Sequence, residues 1–380
     1  MKICREEKCT GCGVCVDACP KGCIQYLQDK NGFYKPLIDE AKCVKCKRCI
    51  SVCPSYNPNN NTAVLKAYKA RRISEAAARK SSSGGLAAVF AEYVIKNGGV
   101  AVGCAFCEDM RLEHKIAATA SEAESFKGSK YLQSDTVGIY KNVKQRLQRG
   151  EDVLFIGTPC QVSALNNYIG KEYANLITVD FVCHGVQSHK VFNKFLSSLG
   201  EADSPLLVEF RNKDHGYDDT KGRNEWNVVF PHKNIKASTD KGAFLWFASS
   251  LSLRASCYGC SFSAQKRCSD ITVADYTGKD LTEEDKRIGV STVLVNTKKG
   301  EALLENCKAE IVTEEKVLDC VLRSYKRLNG KTRAPRCRKA FFKDLQELDY
   351  TALTEKYTLK KILPSKIVRR LDGLKKRLGF

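Results

Sequence analysis

Long apolar runs are the first thing this chain lacks. No stretch approaches the ~18 residues of a membrane span, and the longest candidates, such as "DVLFIGTPC", have the length of buried strands. The opening "MKICREEKCT" carries no charged-then-apolar leader, so the expectation is a soluble, cytoplasmic protein whose thiols stay reduced. No G-x-G-x-x-G follows a strand-like run and no G-x-x-x-x-G-K-[ST] occurs, which leaves a Rossmann dinucleotide site and a P-loop unsupported. No recognised nucleic-acid module is present.

Cysteine is what the chain has in excess: 20 residues in 380. Reduced thiols at regular spacing read as metal ligands. Cys9, Cys12, Cys15 and Cys19-Pro20 spell C-x2-C-x2-C-x3-C-P, and Cys43, Cys46, Cys49 and Cys53-Pro54 spell it again. Three thiolates two residues apart wrap three corners of a cubane, while the fourth, beside proline, reaches the other cluster. Cys9, Cys12, Cys15 and Cys53 are therefore expected on one 4Fe-4S cluster, and Cys43, Cys46, Cys49 and Cys19 on the second. Zinc is the alternative, but its sites prefer paired C-x2-C knuckles separated by a longer loop. "CIQYLQDKNGFYKPLID" reads as strand, Asn31-Gly32 turn, strand. Cys4 and Cys23 lie outside both motifs and read as plain small hydrophobes.

After the turn-rich linker "PSYNPNNNT", short apolar runs ("DVLFIG", "NLITVDFV", "LLVEF", "WNVVF", "DITVADY", "STVLVN") alternate with helical stretches. The fold class expected is α+β, a ferredoxin-like module followed by an α/β body around a mostly buried sheet. The boundaries read as 1–60 for the two-cluster module, 61–150 and 151–330 for two parts of the body, and 331–380 for a basic helical tail. Cys160 follows a strand and sits at a helix start capped by Thr158-Pro159; Cys183 also ends a strand, before a helix capped by Ser188. Ligands collect at the carboxyl ends of adjacent strands. With Cys257 and Cys260 of "SCYGC" these make four candidate ligands, enough for a third cluster or a zinc ion; four unrelated buried thiols are the alternative. Cys104 and Cys107 lie in a strand-like run and point to opposite faces.

"SSSGG", residues 81–85, precedes a helical pattern, so its donors and the positive helix dipole suit a phosphate; an ordinary capped helix is the alternative. "KGSKYLQS" offers further donors in Lys127, Ser129 and Lys130, and a planar face in Tyr131. His184, beside Cys183, is a candidate proton donor.

Together, "SSSGG", "KGSKYLQS", "IGTPCQVSAL", "DFVCHGVQS", "SCYGCSF", "DITVADYTG" and "GVSTVLVNTKKG" resemble the beta-subunit family of coenzyme F-420 (deazaflavin) hydrogenases and dehydrogenases, which also includes plant hydroxymethyl-chlorophyll reductase. The resemblance spans roughly residues 65–300. It implies FAD held by Ser82, Ser83, Gly84, Gly85, Lys127, Ser129, Lys130, Tyr131 and Gln133, and a third 4Fe-4S cluster on Cys160, Cys183, Cys257 and Cys260. It implies a flavoenzyme exchanging electrons between clusters and a hydride carrier or small organic substrate; the other readings are a ferredoxin-type carrier without substrate chemistry and a redox-sensing scaffold. The chain departs from many relatives at Thr277 of "DYTG", where they carry an aromatic.

The charge is +20, and residues 321–380 hold 18 basic against 5 acidic side chains. Within them "SKIVRRLDGLKKRLGF" reads as a basic amphipathic helix. Basicity of this kind points to an acidic redox protein or a membrane surface as partner, ahead of nucleic acid.

Overall fold

The computed structural model describes residues 2–201, 205–211, 213, 226–237 and 241–362; the stretch read as a C-terminal amphipathic helix, 365–380, lies outside them. Strands β1 (Ile24–Gln28) and β2 (Tyr34–Ile38) form the expected hairpin, Ile24 opposite Ile38. Its turn is made by the Asp29 carboxylate, which accepts from the backbone N–H groups of Asn31 and Phe33, and by Gly32 at φ +77°. A Cβ on Gly32 would lie 2.4 Å from the Lys190 nitrogen. The hairpin tip therefore packs directly on the start of the helix His189–Ser197.

Eight strands build the body: β3 (Lys66–Arg72), β4 (Val100–Phe106), β5 (Leu112–Ala117), β6 (Val153–Ile156), β7 (Leu176–Phe181), β11 (Ile271–Asp275), β12 (Ser291–Val295) and β13 (Ile311–Lys316). They lie in the order β13-β3-β12-β11-β7-β6-β4-β5. Strands β11, β7, β6 and β4 run parallel, and antiparallel pairing adds β12, β3 and β13 on one side and β5 on the other. Strands from 61–150 interleave with strands from 151–330, so those two parts are one fold. Alternate side chains feed two cores: Ala101, Leu154 and Val179 join Leu86, Phe90 and Leu303 on one face, while Val102, Val153 and Phe155 join Tyr140, Val162 and Leu165 on the other. Burial on both faces is why these strands read as continuous apolar runs.

A smaller sheet of β8 (Leu207–Glu209), β9 (Trp226–Val229) and β10 (Asn234–Ala237) borders a third core, where Phe192, Phe210, Trp246, Phe341, Leu345, Leu353 and Tyr357 pack together. Of the stretch read as a basic helical tail, 331–362 lies among the described residues. The helices Arg338–Glu347 and Tyr350–Lys356 bury an apolar face in that core; Lys339, Lys343 and Lys356 lie on their solvent side, while Arg338 donates to the Leu253 carbonyl at 2.8 Å. The linker is likewise pinned: Ser163 Oγ donates to the Pro58 carbonyl at 2.8 Å and Asn60 Nδ2 to the Ser261 carbonyl at 2.9 Å.

The two cysteine motifs meet different neighbours. In the first, Gly11 (φ +65°) and Gly13 (φ +73°) adopt left-handed backbone, and a Cβ would lie 2.3 Å from Arg254 Nη2 or 2.6 Å from Thr136 Oγ1. The same two positions of the second motif are Lys45 (φ 54°) and Lys47 (φ 59°), each held left-handed at a cost of about 1–2 kcal/mol for a residue with a Cβ. Glycine is thus required where the body closes on the module. Gly13→Ala should destabilise the protein by about 2 kcal/mol through strain and contact with Thr136, read as a lower thermal midpoint; an unchanged midpoint would show that the interface yields freely.

Candidate functional site

Cys19, Cys43, Cys46 and Cys49, drawn from both motifs, line one cavity of about 320 Å³ together with Pro20, Ile24, Ile38 and Val44. The two short helices Val14–Asp17 and Arg48–Ser51 carry the motif cysteines Cys15 and Cys49 into the core between them. Cys53 joins that core, and the neighbouring Cys53 and Cys9 thiols push the Cys4 pKa far up. Cys23 Sγ lies 3.3 Å from Cys19 Sγ. Cys4 and Cys23 are therefore more than the plain hydrophobes expected: each abuts a cysteine pair formed across the two motifs. Sequence spacing could not reveal this, because the contacts cross the motifs.

The first motif is tied to the body through its backbone. The hydroxyls of Thr136 and Tyr140 both donate to the Cys12 carbonyl at 2.6 Å. Arg254, 2% exposed, donates from Nη1 to the Cys9 carbonyl at 3.1 Å and from Nη2 to the Tyr34 carbonyl at 2.6 Å.

The second constellation sits at the carboxyl ends of β6 and β7, neighbours in the parallel part of the sheet. Thr158 caps the helix Pro159–Ile169 in a capping box with Gln161, and its hydroxyl meets Cys160 Sγ at 3.1 Å. Cys160, Cys183, Cys257 and Cys260 all line a cavity of about 550 Å³, shared with Thr10 of the first motif, Gln133, Arg267 and Arg327. Burial, with neighbouring thiols, pushes Cys183 up to about 12; a thiolate there needs a cation beside it.

Two side chains in this wall have buried polar atoms without partners. Gln133, 1% exposed, has both its amide oxygen and nitrogen unsatisfied, as are Arg327 Nε and Nη1. Orphaned buried donors cost about 1–3 kcal/mol each, and a ligand in the cavity would relieve them. Among the described residues no three His, Cys, Asp or Glu side chains close on a single ion. Four thiols line each cavity without converging on one centre, so the donor sets fit polynuclear clusters better than zinc. Gln133 was expected beside FAD with the other "KGSKYLQS" residues; in the structure it lines the cysteine cavity.

The remaining flavin candidates come together in part. Ser82 Oγ accepts from the Ser129 N–H at 2.5 Å, joining the two segments. Ser83 Oγ donates to the Val290 carbonyl at 2.7 Å. Gly84 has no room for a ligand on its Cβ side, where Ala70 O and Ser291 N would lie at 2.6 and 2.8 Å; its glycine serves packing against β3 and β12. Gly85, at φ +82°, caps the helix Leu86–Lys96 with no such obstruction. Lys213, which the sequence did not single out, clamps this loop by donating to the carbonyls of Ala78, Ser83 and Ile288; burial pulls its pKa down to about 7. Lys127 is paired with Glu92 and Glu124, and Lys130 Nζ donates to the Ser125 and Lys127 carbonyls at 2.9 Å. Tyr131 stacks on Phe247, ring centres 4.4 Å apart.

His184 Nε2 lies 3.0 Å from the Phe247 carbonyl and 3.3 Å from Ser250 Oγ. Burial, helped by Arg327, pulls its pKa down to about 4. The ring is anchored to backbone beside Cys183. Thr277 meets Ser324, hydroxyl to hydroxyl, at 2.9 Å. No helix among the described residues is long and apolar enough to cross a membrane.

Residues 150–319 match the model for the C terminus of the coenzyme F420 hydrogenase/dehydrogenase beta subunit. Residues 8–57 and 35–88 match two models of 4Fe-4S dicluster domains. An uncharacterised ferredoxin of Methanocaldococcus jannaschii is 55% identical over 29 residues, 8% of this chain, and the chain spans only 38% of that ferredoxin's length. A chain of the xenon-derivatised F420-reducing [NiFe] hydrogenase complex of Methanosarcina barkeri is similar over 80% of this chain and 97% of its own, at 18% identity and a TM-score of 0.47. A 4Fe-4S dicluster domain thus stands in front of a stretch that matches the C-terminal domain of the coenzyme F420 hydrogenase/dehydrogenase beta subunit.

Proposed function

We propose that the protein is an oxidoreductase passing electrons between 4Fe-4S clusters and FAD, coupled to a hydride carrier or small organic substrate. The observation that carries this reading is the cavity where four cysteines from three separate segments meet Thr10 of the first motif and the orphaned Gln133 amide. Such a wall suits a third 4Fe-4S cluster on Cys160, Cys183, Cys257 and Cys260, in line with the clusters of Cys9, Cys12, Cys15 and Cys53 and of Cys19, Cys43, Cys46 and Cys49. FAD, when bound, would supply hydride chemistry joined to one-electron exchange.

The residues we assign to FAD are Ser82, Ser83, Gly85, Lys127, Ser129, Lys130 and Tyr131; Gly84, expected with them, packs on β3 and β12 instead. The N–H groups opening the helix Leu86–Lys96 favour a diphosphate, with Lys213 and Gly84 fixing the loop behind them. Gly128, at φ +80° with nothing within 4 Å of an added Cβ, leaves open approach on the second segment. Tyr131 and Phe247 present stacked rings, and His184 Nε2 meets the Phe247 carbonyl at 3.0 Å.

Protein purified without oxygen should release noncovalent FAD on acid or heat treatment. Gly85→Val, which forces a β-branched residue to φ +82°, should abolish flavin retention while leaving iron unchanged. Iron-loaded protein that takes up no FAD by fluorescence or calorimetry would leave the ferredoxin-type carrier as the reading.

A further inference from the structure

The two copies of the cysteine motif differ in what covers them. Around the first, Arg254, Thr136 and Tyr140 close on Gly11 and Cys12. The second copy faces solvent: Val44, Lys45, Cys46, Lys47 and Arg48 are all exposed, Val44 by 57%, and Lys21 is exposed on the same cavity wall as Val44, Cys46 and Lys47.

We propose that an acidic one-electron redox protein docks on this face, over the cavity of Cys19, Cys43, Cys46 and Cys49. The proposal rests on reading those cysteines as cluster ligands and adds where electrons enter or leave the chain. One electron passes per encounter between the partner's redox centre and the module; one side is oxidised as the other is reduced, and no bond or proton moves.

Three features carry it. First, charge: Lys21, Lys45, Lys47 and Arg48 form no ion pair among the described residues, whereas Lys42 pairs with Asp39 at 3.2 Å. Unneutralised cations around an apolar centre attract a face bearing carboxylates and speed its arrival. Second, backbone: glycine would be cheaper at both left-handed positions, as Gly11 and Gly13 show in the other copy, yet the exposed copy carries lysine at each. Glu40 feels the charge of Lys45 without forming an ion pair with it among the described residues, and an incoming carboxylate would add to that attraction. Third, access: the other copy is walled in by the body, so this is the side of the module on which a second protein can approach the cysteines.

The test uses the full chain, iron-loaded without oxygen, mixed in a stopped-flow instrument with a pre-reduced acidic ferredoxin as probe. At low salt the paired change K45E/K47E should slow the second-order reaction about tenfold or more, and high salt should erase the difference. K45G/K47G, which removes charge and strain together, should slow it less while raising the thermal midpoint. R333E/R336E, equal in charge change but outside this face, should leave the rate within about twofold of the unaltered protein if docking is local. Equal rates for the unaltered protein and K45E/K47E at low salt, or equal slowing by R333E/R336E, would overturn the proposal. Iron content and reduction by methyl viologen, a small cation, test the cluster reading separately. Their failure in the unaltered protein would remove that reading and this proposal with it, whereas normal values with a salt-insensitive ferredoxin rate would remove the proposal alone.

Discussion

Cys257→Ser should lower bound iron from about twelve to about eight atoms per chain while the signals of the N-terminal module persist. Cys257 ends the short turn Ala255–Cys257, and its N–H donates to the Arg254 carbonyl at 3.0 Å. That same turn is pressed onto the loop after β7, where a Cβ on Gly185 would lie 3.2 Å from Cys257 Cβ. The backbone is therefore fixed before any metal arrives, and serine changes one atom in a formed wall. A hydroxyl stays protonated near neutral pH and is a harder ligand than a thiolate, so it binds iron-sulfur clusters poorly. The eight motif cysteines lie outside that cavity wall and should keep their own iron. Cys104→Ser is the matching control, since Cys104 lies on β4, paired opposite His114 of β5, away from the cavity wall. Anaerobic iron counts with low-temperature electron spin resonance decide the matter. An unchanged count in Cys257→Ser would strike the third cluster from the account.

What could be read without coordinates follows the range of the interactions. The eight motif cysteines declare themselves because their ligand spacing is local, and Cys160 and Cys183 because strand ends can be read from short apolar runs. That they meet depends on β6 and β7 lying side by side and parallel, which apolar pattern suggests but does not specify. Arg254 reaches Cys9 across 245 positions, and Gln133 and Arg327 matter only for the wall they join; a lone residue carries no periodicity by which to find it. The glycines of the first motif show the same limit from the other side. Repeat comparison exposes Gly11 against Lys45 and Gly13 against Lys47, but the reason, a body pressed on one copy alone, is a tertiary contact. Gly84 misleads for a similar cause: a glycine that admits a phosphate and one that admits a neighbouring strand are identical in sequence. The basic residues of 338–356 mislead through composition, since net charge does not report the apolar face buried beneath it.

The largest loss of stability is expected from Arg267→Met. Arg267 and Asp180 are 1% and 0% exposed and meet at 2.9 Å. The guanidinium also donates from Nε to Thr272 Oγ1 at 3.1 Å, and from Nη1 to the carbonyls of Phe262 and Ala264, both at 3.3 Å. One planar fork thus bolts the loop that carries Cys257 and Cys260 to the end of β7, and its own N–H bridges to Thr62 of the linker. Methionine fills the volume but leaves the Asp180 carboxylate with the Thr272 hydroxyl and a long contact from the Cys268 thiol as its side-chain donors. Removing one partner of a buried pair costs about 3–5 kcal/mol, because the remaining charge is uncompensated, whereas replacing both by apolar groups is often close to neutral. Arg267→Met should accordingly lower the thermal midpoint by several degrees and shed the iron of the third site, through loss of the two carbonyl anchors. The double change Arg267→Met with Asp180→Leu separates the two effects. It should recover most of the stability, since no charge is stranded, yet still lose iron, since Phe262 and Ala264 remain unheld. Arg267→Lys, one ammonium in place of a fork, should keep the charge but satisfy fewer of the four acceptors and fall between. Recovery of iron in the double variant would mean that the salt bridge, and not the fork, positions the loop; an unaltered midpoint in Arg267→Met would mean that water reaches Asp180 and the pair is not the closed contact described.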